Sequence, residues 1–353
     1  MVWFPRISGA AAVLAFVVIT LGAWVRLTDA GLGCPDWPGC FGHLLVPESE
    51  QALARVANEF DGAVVETGKA WREMIHRYVA STLGLMILAL AVMGWRNRHD
   101  PRQPVLIPFA LVGLVLFQGL LGMWTVTLLL QPVIVMGHLL GGMTILTLLT
   151  WLALTTGRGV RRRRARTGVE RLALAALLFT FAQIGLGGWT STNYAALACP
   201  DFPTCQLQWW PEADWAEGFV PWRAIEDHGV ADFEGGVLMH PARVAIHLTH
   251  RIGAIVLTLV LLLAAWRAAT RLGPPGRAAA SLSLAFLTLQ IGIGVAIVKF
   301  GLPLWLGVAH NGNAALLLLS VLTLGVVARY ETAAVRRDSR IPLAESHVVG
   351  HVQ

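Results

Sequence analysis

The sequence predicts an all-α integral membrane protein: eight transmembrane helices as two four-helix bundles, related by a parallel internal repeat. Three observations predict it. The 353 residues are 56% hydrophobic and only 14% charged, where a soluble domain carries about a quarter charged residues. Apolar runs long enough to cross a bilayer, about 20 residues each, fall at roughly 8–27, 74–95, 105–128, 132–155, 170–191, 245–266, 278–299 and 303–328. The second half also repeats the first. His76-Arg77 recurs as His250-Arg251 after 174 positions, and His138 recurs as His310 after 172. Gln118 and Gly122 return as Gln290 and Gly294 at the same 172. The run Cys34-Pro35-Asp36-Trp37-Pro38-Gly39-Cys40 returns as Cys199-Pro200-Asp201-Phe202-Pro203-Thr204-Cys205 after 165.

The arginines orient the spans. Arg96, Arg98 and Arg102 follow the second span, and Arg158, Arg161–Arg164, Arg166 and Arg171 separate the fourth from the fifth. Arg267, Arg271 and Arg277 separate the sixth from the seventh, and Arg329, Arg336, Arg337 and Arg340 follow the eighth. All fall on one side, which the positive-inside rule makes cytoplasmic. The net charge of +6 is therefore a topology signal. Basic runs that alternate with membrane spans and lack interleaved aromatics make a poor nucleic-acid surface. Both termini come out cytoplasmic, and the first span reads as a retained helix because no small-residue cleavage pattern closes it. Each half has an even number of spans, so both enter the membrane the same way round, as a parallel repeat does. The organisation expected is an N-terminal half at 1–157, a basic linker at 158–168, a C-terminal half at 169–330 and a cytoplasmic tail at 331–353.

The two long loops, roughly 28–72 and 192–244, lie on the outer side and carry the four cysteines. In a bacterium that side is oxidising, and the i, i+6 spacing around two prolines closes a small loop. Disulfides Cys34–Cys40 and Cys199–Cys205 are the favoured reading. Zinc frameworks, the competing one, use two-to-four-residue gaps and a second pair nearby; free thiols are the third.

Of eleven histidines, His43, His99, His347 and His351 fall in loops or tails, and His228 and His240 in the second outer loop. His76, His138, His250 and His310 differ. Each sits in the first turns of an apolar span at the outer side, where a polar group is costly and usually functional. A single such histidine reads as a helix end reaching the headgroups. Four, duplicated as two pairs, point to axial ligands of a haem slotted between helices. Gly137, Gly141, Gly142, Gly307 and Gly312 beside them allow close approach of a flat ring. A bare zinc or copper site would recruit carboxylates or thiolates as well, and only Glu73 offers one. Arg77 and Arg251 suit haem propionates or anchor the helix ends in the headgroups, and Lys299 is a further propionate candidate. Glu73 lies one turn before His76, on its face, where the second half has His247. A carboxylate there takes a proton, stabilises developing positive charge, or orients His76.

The stretch Gly22 to Cys40, then Glu73-Met74-Ile75-His76-Arg77, then the contexts of His138, His250 and His310, resemble haem A synthase, in the bacterial branch with cysteine pairs in the outer loops. The resemblance covers nearly the whole chain. It implies a multi-pass oxidoreductase of the bacterial inner membrane that converts haem O to haem A for terminal oxidases. One ring methyl becomes a formyl group through successive hydroxylations and loss of water. His76 and His138, with Glu73 as the acid, match the family's substrate site for haem O; His250 and His310 match its haem b site. The cysteine pairs match positions associated with disulfides. Haem O synthase, an electron acceptor and membrane lipid are the partners implied, and a homo-oligomer is compatible. Two other readings share the residues: a two-haem carrier that oxidises quinol, and a transporter built on a parallel repeat. Glu73 without a counterpart speaks against a symmetrical relay. The lack of Pro- or Gly-broken spans at matching depths speaks against the transporter.

Overall fold

A computed structural model of the chain describes residues 3–60, 63–156, 161–163 and 168–332. Arg158, Arg164, Arg166, Arg336, Arg337, Arg340, His347 and His351, with most of the expected linker and tail, lie outside the described residues. Among the described residues eight helices are long and apolar enough to cross a membrane. They are α1 (Trp3–Leu27), α3 (Thr67–Arg96), α4 (Leu106–Thr127), α5 (Pro132–Thr155), α6 (Val169–Thr192), α8 (His240–Arg271), α9 (Pro274–Phe300) and α10 (Leu304–Arg329). Each contains one expected apolar run nearly whole. The protein is an eight-helix membrane protein.

Ends differ where hydropathy stops before the helix does. α3 begins seven residues ahead of the apolar run, at Thr67, and α8 begins at His240 with Pro241 in its first turn, where proline loses no hydrogen bond. Two short helices of the long loops carry no span signal: α2 (Glu50–Glu59), capped by the Ser49 side chain on Ala52 N–H, and α7 (Trp215–Gly218), capped by Asp214 on Glu217 N–H. Such side-chain caps satisfy backbone donors that the first turn leaves free. Two three-residue strands, β1 (Arg161–Arg163) and β2 (Tyr330–Thr332), pair antiparallel at the basic face. They are the addition to the helical framework.

The spans form two rings of four. α1 packs on α3 and α5, and α4 on α3 and α5; likewise α6 packs on α8 and α10, and α9 on α8 and α10. The rings join where α1 meets α10, α5 meets α6, and α5 meets α10. Lipid is as apolar as leucine, so close packing rather than the hydrophobic effect holds these helices together. The main core runs through the join: Ala11, Ala15 and Ile19 of α1 and Leu146 and Leu149 of α5 cluster with Ile184 of α6 and Leu318 of α10. α10 is the central helix, 61% buried over its span against at most 33% for the others.

Backbone detail recurs at the sequence spacing. Leu130 N–H closes the end of α4 on Thr125, and Leu302 N–H closes α9 on Ile297. Ala30 N–H returns to Val25 after α1, and Ala195 N–H to Thr190 after α6. Corresponding positions also meet each other. Arg26 donates to the Ser191 carbonyl (2.8 Å) and the Tyr194 hydroxyl (2.9 Å), and that hydroxyl donates to Asp29 (3.0 Å). Burial pushes the Tyr194 hydroxyl above its ordinary pKa, with Arg26 pulling the other way, so it remains a donor at neutral pH. The second long loop also leans on the first half, through Phe233 N–H to the Leu129 carbonyl (3.0 Å) and Gln131 to the Arg223 carbonyl (2.8 Å).

Tyr194→Phe keeps the ring under Arg26 and removes the hydroxyl between Arg26 and Asp29. Two hydrogen bonds lost at a half-buried site cost about 1–2 kcal/mol. The expected result is a detergent-solubilised melting midpoint lower by a few degrees, read by intrinsic fluorescence; an unchanged midpoint would show that the bridge contributes nothing.

Candidate paired-histidine sites

His76 on α3 and His138 on α5 enter the first ring from opposite sides, with α1 and α4 between their helices. Their ring centroids are 6.5 Å apart and the planes stand at 72°. His250 on α8 and His310 on α10 occupy the same places in the second ring, on the two helices that α6 and α9 join. Nδ1 of His76, His138 and His310 is buried without a hydrogen-bond partner. The structure thus brings together each of the two pairs read from the sequence.

Room for each ring comes from a glycine on a neighbouring helix. A Cβ at Gly22, Gly187 or Gly294 would lie 3.1–3.2 Å from Cε1 of His76, His250 or His310 respectively, and one at Gly122 would lie 3.6 Å from Cε1 of His138. Of the five glycines expected to admit a flat ring, four meet side chains. Gly141 faces Gln118, Gly142 faces Ile19, Gly307 faces Leu27, and Gly312 faces Thr20 and Phe16, while a Cβ at Gly137 would meet open space. Four of the five therefore serve side-chain packing. The signal for the true notches was in the sequence: Gly22 and Gly187 keep the 165-residue offset.

The cysteines form disulfides Cys34–Cys40 and Cys199–Cys205. Inside each loop the aspartate after Cys-Pro accepts two backbone N–H groups: Asp36 from Phe41 (2.5 Å) and Gly42 (2.8 Å), Asp201 from Gln206 (2.5 Å) and Leu207 (3.1 Å). The Thr204 hydroxyl, followed by those N–H groups, holds the Asp201 carboxyl below the usual range. Both loops hang from an arginine. Arg77 donates to the carbonyls of Asp36 (3.0 Å), Pro38 (3.3 Å) and Gly39. Arg251 donates to those of Thr204 (2.7 Å), Cys199 (3.1 Å) and Asp201 (2.8 Å). The forked donors of Arg77 and Arg251, read as propionate partners or helix anchors, reach loop carbonyls. Lys299 is exposed in the last turn of α9.

Glu73 is buried, and its two oxygens are engaged separately: one accepts Cys34 N–H at 2.9 Å, the other pairs with Arg77 at 2.5 Å. His247, its counterpart, is also buried and bonds the Ala195 carbonyl through Nδ1 at 2.9 Å. Both residues fasten the loop that follows the preceding span.

Among the described residues no group of three histidine, cysteine or acidic side chains could hold a bare metal ion. Each site offers two facing imidazoles and nothing else, which suits an iron whose remaining donors arrive with its own macrocycle. The residues present therefore fit a haem.

The fold and these residues define a multi-pass membrane protein with two histidine pairs near its disulfide-bearing loops. The family model described as COX15-CtaA, cytochrome oxidase assembly protein, matches residues 6–322. The chain belongs to that family. It is 43% identical over 342 residues to a Shewanella oneidensis protein named heme A synthase, covering 96% of this chain and 99% of that one. Against the heme A synthase of Caulobacter vibrioides it is 30% identical over 327 residues, covering 87% and 90% of the two chains.

Arg251→Leu should free the second disulfide loop without unfolding the bundle. Hydrogen exchange at Gln206 and Leu207 is expected to quicken roughly 10- to 100-fold, from the loss of charge-assisted bonds, with Arg251→Lys intermediate. Unchanged protection in Arg251→Leu would show that the disulfide and Asp201 suffice.

Proposed function

We propose that this chain is a haem A synthase of the bacterial inner membrane, an oxidoreductase that converts a ring methyl of haem O to a formyl group. The observation that carries the reading is the half-buried His76–His138 ring pair inside one bundle, without a third histidine, cysteine or acidic ligand among the described residues, in a chain whose second bundle carries His250 and His310 at the matching places. Similarity to proteins named heme A synthase supports the same reaction. The product serves terminal oxidases, haem O synthase is the natural donor of the substrate, and electrons leave to an acceptor. The basic face lies in the cytoplasm by the positive-inside rule, and the disulfide face lies in the oxidising compartment.

In this reading His76 and His138 receive haem O, and His250 and His310 hold haem b. Bound haem b supplies a one-electron redox centre. The protein's own groups position and insulate. The glycine notches seat the imidazoles, the apolar helix faces exclude water, and Arg77 and Arg251 keep the loops over the two sites. Glu73 sets a carboxylate one turn from His76 on the same face. Both its oxygens accept strong donors, which fix the carboxyl group where it can stabilise developing positive charge at the substrate or take up a proton. Continuous helices at all eight spans favour a rigid bundle over a transporter. Haem extracted from purified protein separates the enzyme from a quinol-linked carrier: haem O or haem A beside haem b supports the enzyme, and haem b alone at both sites supports the carrier.

His250→Ala and His310→Ala should each abolish the low-spin haem b absorbance while the first site keeps its haem. Haem b retained in both variants would overturn the assignment. Glu73→Gln should retain haem b and lower haem A output roughly 10²-fold, the usual cost of losing one electrostatic contact in the transition state. An amide cannot accept from Arg77 and from Cys34 N–H together, so the loop loosens as well. The check is chromatography of pigments from membranes supplied with haem O. Near wild-type haem A would reject a role for Glu73 in the reaction.

A further inference from the structure

Four positions before each notch glycine, one turn away on the same helix, stands a residue on the side of the neighbouring histidine's helix. Those residues are Val18 for His76, Gln118 for His138, Gln183 for His250 and Gln290 for His310. A glycine one turn on leaves the preceding turn open, so a side chain there can reach across to the histidine's helix.

In the second half both glutamines reach. Gln183 Nε2 donates to the His250 backbone carbonyl at 2.9 Å and lies 3.1 Å from its Nδ1. Gln290 Nε2 donates to the His310 carbonyl at 3.1 Å, while Gln290 Oε1 accepts from Asn313 at 2.7 Å. Asn313, one turn beyond His310, also donates to the Phe286 carbonyl at 2.9 Å. The first half lacks these bonds. The Gln118 amide is buried over Gly141 with Nε2 unpartnered, and Val18 has no amide to offer.

We infer that Gln183 and Gln290 are straps which make the second site retain its haem, and that the unstrapped first site exchanges its haem, with His76 opposite Val18 as the ligand that yields. The inference rests on the functional reading above and deepens it: a substrate must enter and a product leave one site, while the other keeps its cofactor. A side-chain bond to a helix carbonyl restrains the turn bearing the ligand. A helix in hydrocarbon offers no water to replace that bond when the turn shifts. Gln183 and Gln290 are positioning residues, since they act through the histidine backbone.

The test is haem transfer from the purified, haem-loaded protein to excess apomyoglobin, with the transferred haem identified by chromatography. Gln183→Met and Gln290→Met keep side-chain volume and remove the donor. Each is expected to release haem b roughly two- to tenfold faster than wild type, the range for one hydrogen bond, and the double variant faster still. Gly292→Ala, on the helix that carries Gln290, places its Cβ in open space and should behave as wild type. Val18→Gln is the converse: it should slow release of haem O or haem A and leave haem b release unaltered. Haem b present but released at the wild-type rate from the double variant overturns the straps alone. Wild-type protein that binds no haem b overturns the parent reading and the straps with it.

Discussion

A carbonyl that leaves a helix at the edge of hydrocarbon must find its donor within the protein, because lipid offers none. Most of the disulfide-bearing face answers that constraint. Each cysteine loop turns through two prolines and so presents a row of carbonyls with few backbone donors nearby. Arg77 and Arg251, about three turns into α3 and α8, gather three carbonyls apiece. A forked, permanently charged donor does this where a lysine ammonium could not cover the same span. Asp36 and Asp201 serve the opposite need and collect the loops' free N–H groups. The loops are thus pinned from both sides, and the disulfides close what those bonds already define.

Glu73 and His247 then become two answers to one local question. Each lies three residues before a ligand histidine and meets the chain that descends from the previous span. In the first half that chain presents Cys34 N–H, and a carboxylate accepts it; in the second it presents the Ala195 carbonyl, and an imidazole donates to it. The asymmetry that marks the halves in the sequence therefore has a structural component before any chemical one. A carboxyl group stands beside one histidine pair and an imidazole beside the other. The proposed role of Glu73 in the reaction builds on a residue already needed to hold the loop.

The eight spans were legible because hydropathy over about 20 residues is a direct record of the solvent. The histidine pairs were legible because a duplicated polar residue in an apolar run has few explanations. The partners of Arg77 and Arg251 were not, since a loop carbonyl leaves no mark on residue type. Short helices such as Trp215–Gly218 escaped for a different reason: their caps, Asp214 with Glu217, sit inside a long polar loop without periodicity. Gly22 and Gly187 lay in plain view at matching positions. What they face depends on helix rotation, which a repeat offset does not give.

The two sites share their donors and differ in how firmly the helices bearing them are held. His310 rides on α10, whose span is 61% buried, while its counterpart His138 rides on α5, whose span is 28% buried. α10 touches both rings of helices and is gripped again at its ligand turn by Gln290 and Asn313. Such a helix cannot tilt without disturbing α1, α5, α6 and α9 together. α5 has no glutamine bond to the His138 carbonyl and α3 none to that of His76, although Arg77 and Glu73 tie α3 to its loop. The two histidine pairs sit at matching places, and the packing of α10 against both rings makes their surroundings unequal. Under the proposed function a flat apolar substrate would need one bundle that can part slightly and one that does not, and that difference can reside in a few side chains on the turns facing the histidines.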